Sequence, residues 1–507
     1  MKSRVAAASD WLVRARDDFR AARFASAAET LDLAVASQRV VAPEAFLLRA
    51  RIALKNDPAA ALAYLTRHRA AFHASRDRAS ATMLRGAAYA RLGDFKSSTA
   101  AFRDASATLR ADDPLQLDVA YRRAFALWMA RKLDAAERCL APVEEQATGD
   151  LAIEARHLRG LILGSRGNIA AQGAILLEML PALRAPGVLV LDRGIIASQF
   201  ASLACELPSP ALRDAANAEV ALVPWTPEMA ESQFDALREL AWGDALQGDH
   251  FNAFRRLKAA AAIAPTPAWR TLSLCDRAYL ADAFGERRWA AQELRDATEL
   301  ADSVSWHSTR GEERFALSLL AELYAPRDPS LALTYVARYQ DTAGGVARVL
   351  SSHDDRRVDA MEAYSAGVVR RALGETAEAV RLIRRAWDIY DAIGYDWRAG
   401  RAAIALAELL GDEDWRTKAA QKLRPYGRSW LVAPNQPHLA EVPELSRLTD
   451  AQRTVLELIV QGKSTAEISS ELGRSEFTIR NHVKSIFKTI GVNTRPALIA
   501  RITGTAR

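Results

Sequence analysis

Small residues return along the first third of the chain at a nearly constant interval. Ala15, Ala50, Gly86, Ala124 and Gly160 are 35, 36, 38 and 36 residues apart. A small side chain lets one helix backbone close on another, so a recurrence at this length marks a helix–turn–helix unit that is copied along the chain. The stretch "LRGAAYARLGDFKSSTAAFRDA", from Leu84 to Ala105, shows one copy. Gly86, Tyr89, Gly93, Phe95, Phe102 and Ala105 fall where a helix pair puts its small and large residues, and Phe102 fills the groove between the two helices. Alanine is abundant and β-branched runs are scarce, which favours helix over strand. Second-helix patterns return in "RFASAAETLDLA", "RKLDAAERCLA", "DHFNAFRRLKAAAAIAP" and "GETAEAVRLIRRA". One hairpin cannot bury its own apolar face, so consecutive copies must stack. Residues 10 to about 425 are therefore expected to form roughly ten stacked helical pairs, with looser spacing in the middle.

The pattern resembles the tetratricopeptide (TPR) repeat, and that resemblance implies an α-solenoid with a concave surface for a partner. Other classes are disfavoured by what the chain lacks. Its three cysteines, Cys139, Cys205 and Cys275, are far apart and have no metal-ligand spacing, so reduced buried thiols are expected rather than a disulfide framework or a zinc site. The start has too short an apolar run for a signal peptide, and "PGVLVLDRGIIASQFA" is broken by Asp192 and Arg193 before it could span a bilayer. The expected location is the cytoplasm, without membrane contact. "SSHDDR", Ser351 to Arg356, has the composition of a catalytic cluster but no second His or Cys at useful spacing, so it reads as a solvated loop.

One further stretch needs weighing, "VQGKST" at Val460 to Thr465, because Gly-Lys-Ser-Thr is how a phosphate-binding loop ends. The full motif needs a glycine where Glu457 stands, and a glycine-rich loop after a strand. Neither is present. The alternative is a turn, with Gly462 ending one helix in a left-handed conformation and Ser464 capping the next. No nucleotide, metal or other cofactor is expected, and the chain carries no constellation that argues for an enzyme.

That turn lies in a compact tail. Pro434, Pro437 and Pro443 interrupt helix formation, which suggests boundaries at 1–430 for the array, 431–444 for a linker and 445–507 for the tail. Caps in the tail predict four short helices. Thr449 with Gln452 and Ser464 with Glu467 have the spacing of capping boxes, Ser475 caps a third helix that Gly491 ends, and a fourth follows Thr494. In the third helix Ile479, Val483, Ile486, Phe487 and Ile490 make one apolar stripe. Arg480, Lys484 and Lys488 lie four apart on another face, beside Asn481. A helix that packs on one side and offers Arg and Asn on the other suits the DNA major groove, where Arg pairs guanine and Asn pairs adenine. From Arg474 to Arg507 there are seven Lys or Arg and one acid, Glu476, so 7 − 1 = +6, the net charge of the whole chain. The positive potential is concentrated on the tail.

The segment "LTDAQRTVLELIVQGKSTAEISSELGRSEFTIRNHVKSIFKTIGVNTRPALIA" resembles the LuxR-type helix-turn-helix domain. Ala451, Gln452, Thr454, Ala466 and Thr489 depart from residues frequent in that family. The resemblance implies that Arg480, Asn481 and Lys484 face base edges and adjacent phosphates, that Thr478 binds a phosphate, and that the last helix joins two copies. Leu498, Ile499 and Ile502 are its apolar patch. The candidate DNA-binding residues are Arg474, Thr478, Arg480, Asn481, Lys484 and Lys488. The expected fold is all-α, a TPR-like α-solenoid followed by a small four-helix LuxR-type helix-turn-helix domain. The expected function is sequence-specific transcription regulation as a homodimer on double-stranded DNA, with the array sensing a protein, peptide or small-molecule effector. A protein-interaction scaffold with a vestigial tail is the alternative.

Overall fold

The computed structural model describes residues 2–37, 41–284, 286–306, 312–343, 355–426, 448–460, 463–492, 494–495 and 498. Among them, twenty-two α-helices between Lys2 and Leu423 form eleven antiparallel hairpins, from Lys2–Arg20 with Phe24–Ser37 to Asp396–Leu410 with Glu413–Leu423. The array is one hairpin longer than the sequence pattern suggests, and its first helix reaches back to Lys2.

Local chemistry explains why the hairpins turn where they do. Gly93 and Gly248 take φ of 79° and 81°, a left-handed backbone that ends a helix at low cost only for glycine. The next residue, Asp94 or Asp249, then caps the second helix by accepting from the backbone N–H of Ser97 or Asn252. The same position is held by Ala22 and Arg131 at φ of 56° and 58°, which is why those two turns lack a glycine signal. Gly86 plays the part its spacing suggests. A Cβ there would lie 3.1 Å from the Phe102 ring, and Phe102 is fully buried.

At several joints the first helices of successive hairpins stack, while at others, such as Leu133–Gln146 with Asp150–Ser165, the second helix of one hairpin meets the first of the next. Ser75–Arg91 lies against Leu115–Met129, Val190–Glu206 against Ala230–Leu246, and Pro267–Ala283 against Phe315–Tyr324. One apolar cluster runs from Ala15 to Ala419. The array also turns back on itself. Arg20 pairs with Asp150 at 3.2 Å and donates to the Gly187 carbonyl, and Thr226 Oγ1 donates to the Ala22 carbonyl at 3.0 Å. Farther along, Arg398 pairs with buried Glu206 at 2.8 Å, the Tyr426 hydroxyl donates to the Glu206 carbonyl at 2.6 Å, and Trp397 stacks on Trp242. Contacts across long sequence distances thus tie the array together, in addition to those between neighbouring hairpins.

Cys205 and Cys275 are buried free thiols, and burial pushes both well up from the ordinary thiol range. Cys139 is only half-buried. No described helix is long and apolar enough to cross a membrane. The tail has a core of its own, in which Leu448, Val455, Ile459, Ile468, Ile479, Ile486, Ile490 and Leu498 meet. The proposed linker, 431–444, lies outside the described residues.

Candidate nucleic-acid interface

Three tail helices are described, Asp450–Val460, Thr465–Leu472 and Glu476–Ile490. Reciprocal caps start the first two. The Gln452 N–H donates to Thr449 Oγ1 at 3.3 Å while the Thr449 N–H donates to Gln452 Oε1 at 2.9 Å. Ser464 and Glu467 repeat the arrangement at 3.3 and 2.7 Å. The backbone N–H of Ser464 holds the Glu467 carboxyl below its ordinary value, with Lys463 adding to the effect. Gln452 Nε2 also donates to Ser485 Oγ at 2.8 Å, which ties the first helix to the third.

"GKST" is thus at least half a turn between helices. Ser464 is engaged as a cap, the Lys463 ammonium pairs with Glu471, and Glu457 is exposed at the position where a phosphate loop needs glycine. Gly462 lies outside the described residues. The turn into the third helix is described in full. Gly473 is left-handed at φ 59°, Ser475 accepts from the Thr478 N–H at 3.2 Å, and Gly491 ends the helix at φ 72°.

The third helix divides as its sequence pattern suggests. Ile479, Ile486 and Ile490 are buried, with Val483 and Phe487 half-buried beside them. Arg474, Arg480, Asn481, Lys484 and Lys488 are all exposed, and Thr478 is half-buried beside the Ser475 hydroxyl at 2.8 Å. At 3.6 residues per turn, the exposed residues from Phe477 to Lys488 fall within an arc of about 100°. Two features of this face were not singled out from the sequence. Phe477 lies near the middle of the arc and is 74% exposed, a large apolar ring among cations. Arg480 is paired with Glu476 at 3.1 Å, an i,i+4 contact in which both partners remain largely exposed. The first could have been found by asking which apolar residue falls off the stripe.

Two expectations change. Leu498 is fully buried in the tail core, with its N–H donating to the Thr494 carbonyl at 3.0 Å, so it is withdrawn from any surface patch that joins two copies. Ile499, Ile502 and most of the expected fourth helix lie outside the described residues. Of "SSHDDR", residues 351–354 also lie outside. Asp355 begins the helix Asp355–Ala372, and Arg356 donates to the Ser165 carbonyl at 3.3 Å, a contact that braces the array.

Two capped helices joined through a left-handed glycine, the second showing a basic face, define a helix-turn-helix module of the kind bacterial regulators carry. The profile of the bacterial regulatory proteins, luxR family, matches residues 446–502. The spore germination protein GerE of Bacillus subtilis (strain 168) is 44% identical over 55 residues, which is 74% of that protein and 11% of this chain. The transcriptional regulatory protein DesR of the same organism is 40% identical over 58 residues, 29% of its length and 11% of this chain. The chain belongs to the luxR family of bacterial regulatory proteins. A crystal structure of the APC/C hetero-tetramer Cut9-Hcn1 aligns with 84% of this chain and 94% of its own, at 14% identity and a TM-score of 0.28.

Proposed function

We propose that the protein is a sequence-specific transcription regulator that reads double-stranded DNA with the helix Glu476–Ile490 and whose repeat array responds to an effector. The observation that carries this reading is the exposed arc of Arg480, Asn481, Lys484 and Lys488 opposite a buried isoleucine stripe. In this reading Arg480 and Asn481 meet base edges, Lys484 base edges and adjacent phosphates, and Arg474, Thr478 and Lys488 the phosphate backbone. Phe477 adds an apolar group for which a thymine methyl is the natural partner in the major groove. A module with one reading helix buries little DNA surface, so two copies on paired half-sites would supply the affinity of a working regulator. The array, closed by its own long-range contacts, is the part that an effector can stabilise in one arrangement.

Mapping the DNA bound by the full-length protein across a bacterial genome tests the reading. A recurring paired motif is expected, and Phe477→Ala should blur its thymine positions. Fragments enriched without any shared sequence would leave a charge-driven binder and end the proposal.

A further inference from the structure

The first helices of the first six hairpins converge on a small cavity of about 40 Å³. Phe19 comes from the first hairpin, Arg51 and Lys55 from the second, Arg91 from the third, Arg122 from the fourth, Glu154 from the fifth and Asp192 from the sixth. The walls thus hold four cations against two carboxylates, a net of 4 − 2 = +2.

Several buried cations elsewhere in the array meet carboxylates directly, as in Arg238 with Asp276 at 2.6 Å and Arg357 with Glu312 at 2.7 Å, although buried Arg314 donates to the Thr342 carbonyl instead. Among the described residues, none of Arg51, Lys55, Arg91, Arg122, Glu154 and Asp192 is in an ion pair within 4.0 Å. Arg91 donates instead to the carbonyls of Leu54 and Lys55 at 2.8 and 3.3 Å. Arg51 lies 5.1 Å over the Phe19 ring, and Arg122 Nε is buried with no hydrogen-bond partner. Half-buried charges left apart in this way are costly unless something else satisfies them.

We infer that this cavity binds the dianionic phosphate of a small monoester, whose apolar body lies at its mouth. A phosphate carries close to two negative charges, which matches the excess on the walls, and its oxygens suit guanidinium donors. Leu189 and Leu191, half-exposed in the lining, supply the apolar side, with Phe19, Phe24 and Leu54 buried behind it. Burial pushes the Lys55 ammonium down to about 8 and the Asp192 carboxyl up to about 7, because desolvation disfavours the charged form of each. A ligand seated here would touch six hairpins at once and favour one arrangement of the array. That last consequence rests on the regulatory reading above, whereas the binding does not.

Phenyl phosphate is a suitable probe, titrated into the full-length protein and followed by phosphorus NMR and thermal unfolding, with phenol and succinate as comparators. Saturable binding in the millimolar range or tighter is expected, with no binding of phenol. Arg122→Ala and Lys55→Met should each weaken it about tenfold, the scale of one charge-assisted hydrogen bond. Asp192→Asn should strengthen it, a gain that a misfolded variant could not produce. Absence of saturable binding overturns the site, as does binding that all three substitutions leave unchanged. Succinate binding as tightly as phenyl phosphate overturns the phosphate assignment. Phenyl phosphate binding by a protein that selects no DNA sequence would leave this site standing and count against the DNA reading alone.

Discussion

Ser464 shows how one residue in the tail sets a helix start. Its hydroxyl accepts from the Glu467 N–H, so Ser464→Ala should lower the unfolding free energy of the tail by about 1 kcal/mol. Chemical denaturation with and without Mg–ATP checks this, since a phosphate loop would show nucleotide-dependent stabilisation that the substitution abolishes. In the array the informative residues are Lys55 and Asp192. Asp192 gains a negative charge as pH rises through about 7, and Lys55 loses a positive one through about 8. Arg51 and Arg91, whose pKa burial lowers, remain cations across this range, and Glu154, Asp118 and Asp150 add negative potential around the site. Both changes repel a phosphate, so phenyl phosphate affinity should fall between neutral and mildly alkaline pH. Below about pH 6 the ligand itself loses its second charge. Calorimetric titration across that range would expose the idea as wrong if affinity rose with pH above 7.

Elements were legible where the chemistry is local. The capping pairs at Thr449 and Ser464, the left-handed Gly473 and Gly491, and the Gly86–Phe102 contact all follow from residues close together in the chain. The turns at Ala22 and Arg131 were harder to read, because their left-handed backbone is held without glycine. Phe477 was missed for a different reason. It falls on the polar arc rather than the apolar stripe, and a single aromatic among charged residues does not stand out until its 74% exposure is seen. Later hairpins keep close helix approaches despite looser spacing. A Cβ at Gly367 would lie 2.5 Å from Ile383 Cγ1 and 3.2 Å from the Ile383 backbone N. Gly367→Ala should therefore destabilise the array by about 1–3 kcal/mol through overpacking. Urea unfolding that shifted by less than the experimental scatter would contradict that close approach.

At the scale of the whole molecule, sequence periodicity suggests stacked hairpins but not how the stack closes. Glu206 and Arg398 are 192 residues apart, and no local pattern reveals that they meet. Glu206 is buried beside Arg398, so Glu206→Ala would strand a guanidinium and should cost about 3–5 kcal/mol. Glu206→Ala together with Arg398→Met should recover part of that loss in the same unfolding assay. A double variant no more stable than the single one would mean the pair is not what joins those hairpins.

The central claim is that the exposed arc of one tail helix reads sequence. Selection of binding sites from random duplexes by the full-length protein addresses it most directly, with Arg480→Ala and Lys488→Ala run alongside. Wild-type protein should recover a defined motif. Arg480→Ala should lose preference at one guanine and about 1–3 kcal/mol of affinity, while Lys488→Ala keeps the motif and weakens every sequence alike, with a salt dependence smaller by about one phosphate. An Arg480→Ala protein that recovers the wild-type motif with undiminished affinity would contradict the account.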